Sequence, residues 1–216
     1  MTRQKKVIRV LTGILAVIVI GCFSVYLKPL DKMKEEQKLN EFRPTEYARY
    51  YWDKVLTVKA GEAVNVIKLT DLIAESPEAA FKKYGRKPGI SERSNFLMRG
   101  HGQITTITDD YAELKICNSE KRIRLITGLV FGNVLRDCTG SIRIDDFKNS
   151  MDFNNISLEI NRIVNNEVIP DFKSKAALND FVYFGGAAAL SRDMKESEIF
   201  DIIPVRLKII NDCKEK

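Results

Sequence analysis

The stretch RDCTGSIRIDDFKN, residues 136–149, gathers the side chains best equipped for chemistry. Arg136 offers a planar fork of N–H donors that suits a carboxylate, a phosphate or sugar hydroxyls. Asp137, Asp145, Asp146 and Asn149 supply oxygens of the kind that bind Ca²⁺, or that divide acid and base roles between two carboxylates. The order of an EF-hand loop, Asp-x-Asp-x-Asp-Gly with a closing Glu, is missing, so no metal is assigned. A structural reading stands beside the functional one. Arg136 then pairs with Asp137 or Asp146, and Asn149 and Asp152 cap the helix that follows. Arg136, Asp137, Asp146 and Asn149 are the ligand-binding candidates, and no catalytic residue or cofactor is assigned.

Elsewhere the chemical signals are thin. His101, in RGHGQ, is the single histidine and reads as a structural or exposed residue on a strand. Gly100-x-Gly102 lacks the third glycine and the following helix of a dinucleotide loop. No Gly-x-Ser-x-Gly, Walker or His-Glu-x-x-His pattern occurs. Cys117, Cys138 and Cys213 are scattered without metal spacing. In an oxidising compartment Cys117 and Cys138 can form a disulfide that leaves Cys213 odd; burial as small hydrophobes is the alternative.

Helical signals dominate the first part of the chain. LDKMKEEQKLNEF, 30–42, reads as a charged helical stalk. RPTEYARYYWDKVL starts a helix near Pro44 with Thr45 as N-cap and an aromatic stripe of Tyr47, Tyr50 and Tyr51. Residues 62–74 form a further helix. SPEAAFKKYG is a short one with Ser76 as N-cap, Pro77 at its first position and Gly85 as the left-handed C′ residue.

From Asn95 the apolar period changes to two. FLMRGHGQITTI, YAELKIC and KRIRLITGLVF read as successive strands joined by turns at 108–110 and 118–120. GSIRI reads as another short strand. A helix over 153–168 is stopped by Pro170. NDFVYFGGAAAL and FDIIPVRLKII close the set, with Gly185-Gly186 marking a bulge or a close approach. The expected fold is α+β: a helical segment packed on a small, mostly antiparallel OB-like β-barrel carrying one helix. The divisions are a basic stretch at 1–9, an apolar segment at 10–27, a helical part at 28–94 and a β-rich domain at 95–216.

The apolar segment sets the location. VLTGILAVIVIGCFSVYL is uncharged over residues 10–27 and spans about 27 Å as a helix, close to a bilayer's hydrocarbon core. Arg3, Lys5, Lys6 and Arg9, four of the 35 basic residues, precede it, so the remaining 31 nearly balance 29 acidic ones. The basic excess is therefore a topogenic feature that keeps the N-terminus inside, and nucleic-acid binding loses its electrostatic argument. Val19-Ile20-Gly21-Cys22 also fits a lipobox, in which Cys22 carries diacylglycerol after cleavage. An uncleaved single-pass anchor and a lipidated Cys22 both place residues 28–216 outside the cytoplasmic membrane.

YARYYWDKVL, SPEAAFKKYG, RGHGQIT, FGNVLRDCTGSIRIDDFKNSMDFNNISLEINRIV and IIPVRLKI together resemble the predicted periplasmic lipoprotein family DUF2291, and the apolar continuation after Cys22 resembles its N-terminally anchored members. The resemblance covers about residues 28–210, and Gly-Asn-x-x-Arg-Asp followed by Asp-Phe-x-Asn is its most specific part. It implies an extracytoplasmic, membrane-tethered protein, and members' proximity to sugar ABC-transporter components suggests an accessory role. The expected function is a non-enzymatic binding or accessory module touching a transporter component or a small polar solute. Envelope assembly and an Asp-dependent hydrolase are the alternatives.

Overall fold

A computed structural model describes residues 42–89, 91–193 and 199–213. The stalk over 30–41, the apolar segment at 10–27 and Cys22 lie outside the described residues. Residues 43 onward form one unit, so the helices before Asn95 and the strands after it fold together.

The barrel's strands are β2 (Ser94–Ile107), β3 (Tyr111–Ile116), β4 (Arg122–Ile126), β5 (Phe181–Leu190) and β6 (Phe200–Ile210). β2, β3 and β4 alternate buried and more exposed residues, which gives each one inner and one outer face, whereas β5 is apolar along its length and buried on both faces at Phe184–Ala188. A two-residue strand, β1 (Val64–Asn65), adds parallel to β2 outside the ring. The strand order β2-β3-β4-β6-β5 closes through a β5–β2 pairing, with β4–β6 as the parallel joint. Closure removes the exposed edges that invite aggregation. β2 serves two neighbours: Ser94–Gln103 pairs with β5, and Gly102–Ile107 with β3. Its glycines permit this crowding, since a Cβ on Gly100 would lie 2.7 Å from Val66 and 2.9 Å from Phe184. Phe96, Met98, Ile104, Leu114, Ile123 and Phe184 fill the interior.

Helices cover the barrel from two directions. α1 (Pro44–Tyr51) runs through a wide π turn at Trp52–Leu56 into α2 (Thr57–Gly61). Arg43 takes the N-cap position and Thr45 lies inside the helix. α3 (Val66–Glu75), capped by Asn65, and α4 (Pro77–Tyr84) pack on the barrel core through Leu69, Ile73 and Phe81. Gly85 is not left-handed, because its φ is −74°. Glycine stands there because a Cβ would come within 2.6 Å of the Phe81 carbonyl.

After β4 come a short α5 (Val134–Asp137) and a 14-residue α6 (Ser150–Ile163). The expected strand over GSIRI is absent; Ile144–Asp146 is a single 3₁₀ turn. Pro170 does not stop the long helix. A π turn at Val164–Val168 shifts the hydrogen-bond register, so Pro170 falls in the first turn of α7 (Ile169–Lys173), where its missing N–H costs little.

α1, α2, α5 and α6 build a second apolar layer with Tyr51, Trp52, Leu56, Leu135, Ile156 and Ile160, all buried. This layer contacts the outer side of β5 and β6. Gly185 lets it close: a Cβ there would sit 3.0 Å from the Ala60 carbonyl, and the β5–β6 register shifts between Gly185 and Gly186.

Candidate functional site

The 136–149 cluster is consumed by the structure. Arg136 Nε and Nη2 donate to the two Asp137 carboxylate oxygens at 2.6 and 3.0 Å, and Nη1 donates to the Phe153 carbonyl at 3.3 Å. Its guanidinium carbon lies 3.5 Å from the Phe153 ring centroid, so the charge is paired in one plane and covered by an aromatic face. The side chains are 5% and 12% exposed. Tyr51 Oη hydrogen-bonds to Thr139 at 2.8 Å, tying α1 to the same turn, and burial drives its phenol pKa strongly upward.

The remaining polar candidates are equally occupied. Asp146 accepts from the Arg143 amide at 3.1 Å, and Asp145 lies 3.4 Å from the Arg143 guanidinium. Asn149 caps α6 by accepting from the Asp152 amide at 2.8 Å. Among the described residues no group of three or more His, Cys, Asp or Glu side chains is placed to hold a metal.

The cysteines pair differently from the expectation. Cys117 bonds to Cys213, with Cα atoms 5.7 Å apart, and the bridge fastens the end of the chain to the β3–β4 hairpin. Among the described residues Cys138 is the free thiol. It is sealed in the second apolar layer, and burial, with Asp137 adding, pushes its pKa up to about 12. Sequence separation misleads here, because β6 returns antiparallel to β5 and carries Cys213 back to the hairpin end. His101 stacks on Tyr183 at 5.2 Å and lines a cavity of about 620 Å³ beside the disulfide.

The segment TGLVFGN, 127–133, behaves oppositely. Period two from Ile123 and Leu125 extends the strand to Phe131 and turns Leu129 and Phe131 inward. Instead β4 ends at Ile126, and the alternation flips phase across Gly128. Thr127 and Gly128 both donate to the Asp110 carbonyl at 2.8 Å. The Asn165 carboxamide then acts like a peptide group: Val130 N–H donates to its Oδ1 and its Nδ2 donates to Val130 O, both at 2.9 Å. Asn161 Nδ2 donates to the Gly132 carbonyl at 2.7 Å, and Gly132, at φ 89°, turns the chain toward α5.

Val130 is thereby buried, while Leu129 and Phe131 stand 77% and 79% exposed. They border a groove of about 930 Å³ floored by Ile126, Ala189, Phe200 and Ile203. Its charged walls are Glu92, Arg93, Asp110, Arg124, Asp193 and Asp201. Arg124 Nε lies 2.8 Å from Asp201 and its guanidinium 5.3 Å from the Tyr111 ring. A hydrogen bond from Ser191 holds the Asp193 carboxyl below its usual range, with its own amide and Arg93 adding. A second groove, of about 1020 Å³, runs between α3 and the β3–β4 hairpin, but its cations Lys121 and Arg122 are held by Asp71 at 2.6 Å and by Glu113 at 3.2 Å.

The sequence analysis missed Leu129, Phe131, Asn161 and Asn165. Gly128 and Gly132 bracket the Leu-Val-Phe run, but the asparagines that hold it, Asn161 on α6 and Asn165 in the following π turn, are distant in sequence.

The family model for predicted periplasmic lipoproteins, DUF2291, matches residues 13–208. The chain belongs to this family. The matched region includes Cys22, both layers of the fold and the 127–133 segment of this DUF2291 protein. Membership implies a membrane-anchored, extracytoplasmic protein. The Cys117–Cys213 bridge agrees, since disulfides persist in oxidising compartments. A search among curated proteins finds no match. A crystal structure of an OB-fold protein from Thermotoga maritima MSB8 is similar, with a TM-score of 0.68 and 26% identity over 79% of this chain and 99% of that one. The DUF2291 domain described here is thus a closed OB-like barrel with a helical coat. Among the described residues no helix is long and apolar enough to cross a membrane.

Proposed function

We propose that this protein is a non-enzymatic binding or accessory module, tethered outside the cytoplasmic membrane, that docks a partner in the groove beside Leu129 and Phe131. One observation carries the reading: two large apolar side chains are held in water by a backbone that half-buried hydrogen bonds to Asn161 and Asn165 pin in place. Neither side chain contributes to the core. A fixed apolar prominence is how interaction hot spots are built, because little ordering remains to oppose binding. The groove offers charge and apolar contact, which suits recognition.

For the tether, the family description and Val19-Ile20-Gly21-Cys22 support a lipid on Cys22 over an uncleaved single-pass helix. Intact mass of the membrane-extracted protein decides between them. A chain that begins at Cys22 with acyl mass supports the lipid; a full-length chain overturns it. The accessory version, a link to a sugar ABC transport system, rests on the family resemblance.

The docking reading is tested by placing a photoreactive phenylalanine analogue at position 131 and irradiating intact cells. A discrete adduct, absent when the analogue sits at the exposed position 82 on α4, is the expected result. No adduct, together with a midpoint of unfolding raised by a sugar or nucleoside, would replace a docked partner by a small solute.

A further inference from the structure

Four carboxylates face two guanidinia across the groove. Arg124 is taken by Asp201 and Arg93 acts on Asp193, while Glu92 and Asp110 have no cation among the described residues. The wall beside the two exposed apolar side chains is therefore negative. Such a wall repels the anionic face of a bilayer and also nucleic acid. A neutral sugar would leave both carboxylates unpaired and most of the apolar surface wet.

Resting on the binding-module reading above, we infer that the groove's occupant is a cationic polypeptide segment. It sets apolar side chains against Leu129 and Phe131 and lysines or arginines against Glu92 and Asp110. The loop is already fixed by Asn161 and Asn165, so the segment meets a formed surface and the ordering cost falls on the segment alone. Apolar contact supplies most of the affinity. The carboxylates set sign and speed of association, so salt weakens the encounter.

The test uses the full chain in detergent micelles and two synthetic peptides that share a Leu-Phe core, one flanked by lysines and one by glutamates. Fluorescence anisotropy reads binding, and flotation with phosphatidylglycerol vesicles reads membrane association. The lysine-flanked peptide binds and the glutamate-flanked peptide is weaker by about tenfold or more. Phe131→Ser and Leu129→Ser each lower affinity on the order of tenfold. Glu92→Gln with Asp110→Asn removes the preference between the peptides while the circular dichroism spectrum stays unchanged.

Equal binding of the two peptides, or binding indifferent to Phe131→Ser, overturns the inference. So does vesicle flotation that depends on Phe131, which would reassign the surface to lipid. The cellular adduct at position 131 separates the two levels: an adduct with no peptide preference sinks the cationic segment and leaves the docking face standing.

Discussion

Two neighbouring regions divide chemistry and exposure between them. The 136–149 turn holds two arginines and three aspartates, yet Arg136 and Asp137 are buried against each other and roofed by Phe153. The 127–133 loop holds no charged side chain, yet it is pinned from below and projects Leu129 and Phe131 outward. A reactive residue type says little once its valences are filled. What a fold leaves unsatisfied at its surface, while spending half-buried hydrogen bonds to hold it there, is the better mark of use.

The largest effect should come from breaking the satisfied side. Arg136→Ala leaves Asp137 as a nearly buried charge without a partner, and the expected loss is about 3–5 kcal/mol in urea unfolding. Adding Asp137→Asn should restore a good part of it, since the stranded charge is gone. A loss below about 0.5 kcal/mol, the range of ordinary surface changes, would show that the pair is not structural and reopen it as a binding site. Next comes the bridge. Replacing Cys117 or Cys213 by Ser removes a crosslink spanning 96 residues, with an expected cost of about 2–4 kcal/mol. Among Cys117, Cys138 and Cys213, thiol labelling of the native protein should then reach only the surviving partner cysteine, because buried Cys138 keeps its proton and reacts only after unfolding.

Period two survives wherever a strand keeps one wet face, and β2 and β3 were readable on those grounds. β5 and β6, covered on the outside by the second layer, were readable instead as short apolar runs bounded by turn residues. The readings that failed share a cause, which is a contact distant in sequence. Asp110 meets Gly128 and ends β4 five residues early; Asn165 then holds Val130, and nothing in LITGLVF announces either partner. Pro170 was misjudged because a π turn moved the register beneath it. Cys213 finds Cys117 only because the barrel closes. At the candidate site, RDCTGSIRIDDFKN was conspicuous for its residue types, whereas Leu129 and Phe131 were hidden inside a plausible strand. Burial, which decides between the two, is a property of the closed fold.

Asn165→Ala tests the link between the two regions at intermediate size. It strips the buried Val130 amide and carbonyl of their partners, so a cost of about 1–3 kcal/mol is expected. The sharper readout is hydrogen exchange. The Val130 amide should lose protection while β4 amides at Ile123 and Leu125 keep theirs. Loss of protection across both would mean that the loop and the barrel open as one unit, and that the loop is not separately clamped.

The smallest effect concerns the exposed counterpart of the buried pair. Arg49 on α1 donates to Glu167 in the π turn at 3.0 Å, and this bond holds the Glu167 carboxyl below its usual range. The folded state therefore binds that proton more weakly than the unfolded chain does. Its stabilisation is complete above the ordinary glutamate value of about 4.3 and is lost as pH falls through the lower folded value. With side chains 45% and 52% exposed, solvent screening leaves only about 0.2–1 kcal/mol. Glu167→Gln should lower the urea midpoint slightly at pH 7 and converge with wild type at acid pH or high salt. A difference that persisted in high salt would mean that the pair behaves like Arg136–Asp137, and that the α1 contact with the π turn is drier than its exposure indicates.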